Sequence, residues 1–306
     1  MNNFNEIINK LNEDEFSLIL RCLLDRIPIV IIGSGKDNSE FFANKLIEFI
    51  SFRNKLIFYT DFISKEELDI ILEEEEINYD VNRIMIICPN EAVHKALQIF
   101  TEYKSWIICI HLDNNGSNNL QDISSFENII NILKMKIKTF LVINNSSEHI
   151  KIQLIGLKFK SEDLKLEKLI FNKSIIYVEN SINRMKRIFS QRINSSDIKN
   201  ELKYDLLNFN FEENNLKNSI FKIKILEFHN AARRAFSILN KIKILNTHNI
   251  NIQISDKTIL DTILYTDASF KRIIEFIQAE WNENFEVGIE SKDYNYKEDL
   301  IESLWG

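Results

Sequence analysis

Five apolar runs of strand length, with segments of helical periodicity between them, organise the first half of this chain: Pro28–Ile32, Lys55–Thr60, Arg83–Cys88, Trp106–Leu112 and Lys138–Ile143. The runs are predominantly apolar instead of alternating, so a sheet built from them must be covered on both faces. The segments between them supply the cover. Helices are expected at about Ser39–Phe49, from the capping box Ser64-Lys65-Glu66-Glu67 to Glu76, from Asn90 after Pro89 to Tyr103, and over Ser124–Ile132. Two short amphipathic helices, Phe4–Leu11 and Phe16–Leu24, precede the first run. The expectation is an α/β fold: a parallel sheet of about five strands covered by helices over residues 1–146, followed by a mainly helical C-terminal domain.

Composition bounds the function classes. The chain has 306 residues, 45% of them hydrophobic, enough for a sizeable core and two domains. The first fifteen residues are polar and acidic, and no window holds 18 uninterrupted apolar residues. A soluble, unexported, cytoplasmic protein with no membrane partner is expected. Cys22, Cys88 and Cys109 are odd in number and lie in apolar segments, so they read as reduced, buried thiols. The formal net charge of −7 hides a block structure. Residues 1–130 carry 11 basic and 22 acidic groups, residues 131–250 carry 22 and 11, and residues 251–306 carry 5 and 12. A basic middle between acidic ends is either a nucleic-acid face or a middle that docks on its own flanks. The second is favoured, because the whole-molecule field opposes a polyanion.

In open α/β sheets ligands bind beyond the carboxyl ends of the strands, here Gly33 to Asn38, Asp61, Asn90, Asp113 and Asn144. Three readings compete for Gly33-Ser34-Gly35-Lys36-Asp37-Asn38. A phosphate cradle of the form G-x-x-x-x-G-K-[ST] is matched at Gly35-Lys36, but Val30 occupies the first glycine position and Asp37 the hydroxyl position. A dinucleotide turn is matched by Gly33-x-Gly35-x-x-Asn38, with Asp61 as ribose carboxylate and the third glycine missing. The plainer reading weighs most: the glycines turn, Asp37 or Asn38 caps the helix, and Lys36 is solvated.

The surroundings of this turn, residues 25–146, resemble the P-loop NTPase superfamily or a Rossmann-like domain. Ile107–Leu112 with Asp113 looks like a Walker B strand, and Phe140–Ile143 with Asn144 like a polar sensor strand. The resemblance implies ATP, GTP or NAD as ligand, held by Gly33, Gly35, Lys36, Asn38, Asp61 and Asp113. The departures at Val30 and Asp37 count first against hydrolysis.

Other chemistry is sparse. The five histidines show no metal-ligand spacing, so no metal is expected. Cys109 and His111 share a sheet face, where core packing is the favoured explanation. Glu73-Glu74-Glu75-Glu76 opposes its helix dipole and reads as a solvated face or as a contact surface for a basic partner.

In the second half, Ile150–Phe159 reads as an edge strand, Lys173–Val178 as another, and Asn183–Ile193 as a basic helix with Arg184, Lys186, Arg187 and Arg192; the region 147–218 is a basic connection. Phe221, Ile225, Phe228, Ala232, Ala235, Leu239 and Ile242 form a heptad seam, read as a long core helix in preference to an intermolecular coiled coil. Arg233 and Arg234 interrupt it. Ser255–Leu264 and Ala268–Trp281, with Asp267 as N-cap, resemble a helix-turn-helix in which Ser269, Lys271 and Arg272 open the second helix, although a packing pair is favoured. The tail offers an amphipathic anchor, Leu300-Ile301-Leu304-Trp305. Together these features point to a non-catalytic assembly or regulatory subunit with a protein partner. The alternatives are a nucleotide-dependent enzyme or switch and a nucleic-acid-binding protein that uses Arg184, Arg187, Arg233 and Arg234 of the basic middle together with the helix-turn-helix-like C-terminal pair.

Overall fold

The computed structural model describes residues 11–34, 36–78, 83–112, 120–145, 150–192, 201–250, 252 and 254–285. The elements run α1 (Glu13–Leu24), β1 (Ile29–Ser34), α2 (Lys36–Ile47), β2 (Arg53–Ile57), α3 (Lys65–Ile77), β3 (Arg83–Cys88), α4 (Val93–Ile99), β4 (Trp106–Leu112), α5 (Leu120–Lys136), β5 (Phe140–Asn145), β6 (Lys151–Ile155), α6 (Lys165–Arg192), α7 (Glu201–Thr247), α8 (Asp256–Ile263) and α9 (Phe270–Trp281).

The six strands form one sheet in the order β2-β3-β4-β1-β5-β6. The first five are parallel, and β6 pairs antiparallel with β5. Every residue of β3 is buried, as a two-sided parallel strand requires. β6 ends at Gly156, whose φ of +83° and tight approach to the Lys138 carbonyl admit no side chain.

The two faces of the sheet have separate cores. Ile29 and Ile31 point to one side, with Phe42 and Leu46 of α2, Leu20 and Leu23 of α1, and residues from α6 to α9. Val30 and Ile32 point to the other, with Leu68 of α3, Ala96 and Leu97 of α4, and Leu133 of α5. The crossover leaving β1 therefore covers one face and the crossover leaving β4 covers the other. The adjacent strands β1 and β4 thus mark the topological switch point of the sheet.

The C-terminal helices share the first of these cores. All seven residues of the Phe221–Ile242 seam are buried in it, so the seam is an internal one. Phe221 stacks near Phe16 and Phe49, and Phe276 near Phe52 and Phe228. A buried ionic lattice reinforces this junction. Arg53, at the start of β2, donates to the Leu23 and Leu24 carbonyls at the end of α1 and pairs with Glu280 of α9 at 2.6 Å, both side chains fully enclosed. Arg272 holds Asp25 at 2.9 Å and Glu167 at 2.8 Å, and Arg26 holds Glu75 at 2.6 Å. At the surface Lys168–Asp14, Lys173–Asp267, Lys222–Glu48 and Lys243–Glu283 join the basic middle to both acidic flanks. Four ion pairs thus tie the basic middle to its own acidic flanks.

Some local expectations need correction. Lys173–Val178 is not a strand but part of α6, because Leu166, Ile170, Ser174 and Val178 line one buried helical face. Asp267 does not cap α9: Ser269 does, accepting from the Arg272 amide, while Asp267 binds Lys173. Asn90 does not cap a helix either. It begins a short 3-10 turn, and its side chain accepts from the His111 amide. Ser64 caps α3 as expected, but Glu67 reaches back to the Ile63 amide.

Candidate functional site

The switch point puts Gly33 of β1 level with His111 of β4 on one side and Asn145 of β5 on the other. These three residues point toward the face that carries α2. β1 ends at Ser34 and α2 begins at Lys36, so a single position separates strand from helix. Lys36 and Asn38 occupy the first turn of α2. The helix comes in tightly: a Cβ added to Gly33 would stand 3.0 Å from the Ser39 amide nitrogen and 3.1 Å from Ser39 Cβ. The space that a glycine opens is therefore filled by Ser39. Cys109 seals the floor, its thiol donating to the Ser39 carbonyl at 3.8 Å.

The chemistry available at this edge is limited. Burial pushes the Cys109 and Cys88 thiols well above their ordinary range, and the charge of Glu40 adds to it. Neither thiol is a thiolate at neutral pH, so neither is an activated nucleophile. Asn90 fixes the His111 amide, and Asn144, level with Ile32, points to the opposite face of the sheet. Ser39, Glu40 and Asn145 carry no sequence signal as site residues; the packing of α2 on β1 sets Ser39 against Gly33, and strand register brings Asn145 level with it.

The structure separates other residues expected to act together. β2 lies three strands from β1, so Asp61 stands about 14 Å along the sheet from the glycine turn. Its carboxylate closes the turn after β2 by accepting from the Ile57 amide at 2.7 Å. Gly35, Asp113, Leu304 and Trp305 lie outside the described residues. Arg184 and Arg187 are exposed on α6, and Arg233 is exposed on α7. Arg234 is half-buried and donates to the Ile263 carbonyl at 2.5 Å. Arg272, the basic residue at the start of the would-be recognition helix, is enclosed by Asp25 and Glu167 and faces no surface. Within the Glu73–Glu76 run, Glu75 turns inward to Arg26 while the other three are exposed.

A second concavity, of about 310 Å³, opens at the amino edge of the sheet between α3, β3 and the end of α9. Arg26 lies on Glu75 and Glu280 there, and Lys104 donates to the Asn282 side chain at 3.1 Å. Among the described residues no cluster of three His, Cys, Asp or Glu side chains is placed to hold a metal, and no helix is long and apolar enough to cross a membrane. Comparison of the chain with protein-family models, with curated proteins and with solved structures finds no match.

Proposed function

We propose that this protein is a non-catalytic assembly or regulatory subunit, built on a nucleotide-binding-like α/β sheet and acting through protein contacts. The observation that carries the reading is the closed switch point. Only one position links β1 to α2, and Ser39 fills the space over Gly33 where a phosphate cradle needs room for a loop of backbone amides. The polar groups that could have served chemistry have structural duties instead. Asp61 closes a turn, Asn90 holds β4, and Arg272 binds two buried carboxylates. Isothermal calorimetry with ATP, GTP and NAD, with and without magnesium, is expected to show no heat of binding. Purification from the native cell is expected to yield a stoichiometric protein partner.

A second reading, nucleotide binding at the carboxyl edge, is favoured by one observation. The turn, the start of a twelve-residue helix and the His111–Gly33–Asn145 rung all meet at the switch point, where ligands of open sheets sit. A nucleotide response that disappears in Lys36→Ala would establish this reading and overturn the first. The exposed Arg184, Arg187 and Arg233 leave nucleic acid as a third; salt-dependent DNA or RNA binding at low ionic strength is its signature.

A further inference from the structure

α3 has two apolar faces. Leu68 is buried and Ile71 and Leu72 pack beneath it on the sheet, with Glu75 alongside on Arg26. On the opposite side Ile63, Ile70 and Ile77 are 90%, 58% and 74% exposed. Ile70 and Ile77, seven residues apart on α3, face nearly the same direction, and Ile63 stands just ahead of the N-cap Ser64, so the three span a stripe of about 20 Å. Ile63 precedes the helix, but the Glu67 carboxylate in the first turn accepts from its amide at 2.9 Å and fixes it about two turns ahead of Ile70. Exposed glutamates bracket the stripe: Glu66 and Glu73 on one side, Glu67 and Glu74 on the other, at three- and four-residue offsets from Ile70. The last turn of α3 contains no basic residue, although its free carbonyls favour one. Near Ile77 apolar exposure coincides with glutamates, Glu73 and Glu74, that oppose the helix dipole, whereas Glu66 and Glu67 in the first turn suit it.

Beside Ile63 the stripe opens into a cleft of about 220 Å³ walled by Phe58, Tyr59, Phe62 and Ile99 and also lined by Lys95 and by Lys65, which pairs with Glu102. This is below the usual range of small-molecule pockets and suits one large side chain. Tyr59 is held there at φ +70°, with the Lys95 ammonium 4.3 Å from its ring centre.

We infer that the outer face of α3 docks a basic amphipathic helix of a partner protein, whose apolar seam lies along Ile63, Ile70 and Ile77 and whose Lys or Arg side chains meet the flanking glutamates. One large apolar residue of that helix enters the cleft at Phe58 and Phe62. Charge selects this occupant. Two copies of the stripe would bring like-charged rows together, and an anionic lipid surface would meet the same rows. The heptad spacing calls for a helix, whose i, i+3 and i+7 side chains lie between the isoleucines. The inference rests on the reading of the protein as a contact subunit and names its surface and the chemistry of its partner.

The probe is a synthetic peptide of about three heptads with leucine seam positions flanked by lysine, compared with the same peptide carrying glutamate in place of lysine. Fluorescence anisotropy is expected to show binding of the lysine peptide only, weakening with salt. Ile70→Ser with Ile77→Ser should weaken it by about tenfold or more, with an unchanged circular dichroism spectrum. Lysine at positions 66, 73 and 74, with Glu67 kept because it holds Ile63, should reverse the preference toward the glutamate peptide. Equal binding by the isoleucine variant, or amide chemical-shift changes confined to another face, would overturn the assignment. Self-association in sedimentation that is abolished by the isoleucine substitutions would assign the stripe to a second copy and equally overturn it. A native partner that copurifies with the isoleucine variant as well as with wild type would sink this surface and leave the proposed function standing, whereas absence of any partner would remove that function itself.

Discussion

At Gly156 the chain leaves β6 in a conformation that an L side chain rarely adopts, and an added Cβ would lie 1.5 Å from the Lys138 carbonyl oxygen. Rotation of a neighbouring side chain cannot relieve the collision, because the opposing atom is backbone just ahead of β5. Gly33 differs: the nearest atoms to its virtual Cβ are 3.0–3.3 Å away, all on Ser39, and φ is unexceptional. Gly156→Ala therefore carries both dihedral strain and a clash and is expected to destabilise by roughly 2–5 kcal/mol. Gly33→Ala needs only a few tenths of an ångström from α2 and should cost less than about 2 kcal/mol. Urea titrations of the two variants check the order; a Gly156→Ala midpoint equal to wild type would mean that the hairpin of β5 and β6 is not packed as described.

Arg53 links three elements whose association defines the fold: it ends α1, begins β2 and neutralises Glu280 in α9. Desolvation alone would raise the Glu280 carboxyl, but Arg53 and Arg26 outweigh it and hold it below its ordinary value. Arg53→Ala leaves a buried carboxylate without its closest partner and two helix-terminal carbonyls without a donor, an expected loss of about 3–5 kcal/mol. Arg53→Met combined with Glu280→Leu removes the charge as well as its partner. It should recover most of that loss in thermal unfolding; a double variant no better than the single one would place the cost in the α1 carbonyls instead. None of this pairing was legible in the sequence, since Arg53 and Glu280 are 227 positions apart and neither sits in a motif. β1, β3, β4 and β5 were legible because each is a largely apolar run, and the Phe221–Ile242 seam because its spacing is helical; β2 was legible only over Lys55–Ile57, since Arg53 and Asn54 open it and Phe58–Thr60 form a turn. Strand order was not. It depends on which way each crossover travels, and only that order separates Asp61 from the glycine turn. Lys173–Val178 misled because its β-branched residues have strand preference, which the buried helical face of α6 overrides. The α3 stripe had a readable signal, isoleucine at seven-residue intervals, but exposure alone distinguishes it from a core face.

The core that begins on one face of the sheet continues without a break into α7, α8 and α9, so sheet and helices stand or fall together on that side. His229 sits within this continuous core, stacked 4.0 Å from Phe52 beside β2 and close to Phe276 and Trp281 of α9. Burial pushes it from 6.5 down to about 4; Glu280 opposes the shift, whereas Arg53 and Arg233 assist it. The folded protein therefore keeps His229 neutral while the unfolded chain takes up a proton as pH falls through 6.5. Its contribution to stability is complete above pH 6.5 and is lost progressively as pH falls from there to about 4. Between pH 7 and pH 5 the loss should approach about 2 kcal/mol. Glu280, whose carboxyl is depressed, contributes fully above its ordinary value of 4.5 and begins to be lost only as pH falls below it. His229→Gln cannot take up that proton and should flatten the dependence above pH 5 while leaving the acid limb below 4.5. Urea midpoints measured from pH 8 to pH 4 on both proteins separate the two limbs, and parallel slopes above pH 5 would show that His229 is not the group that couples protonation to the joining of sheet and helices.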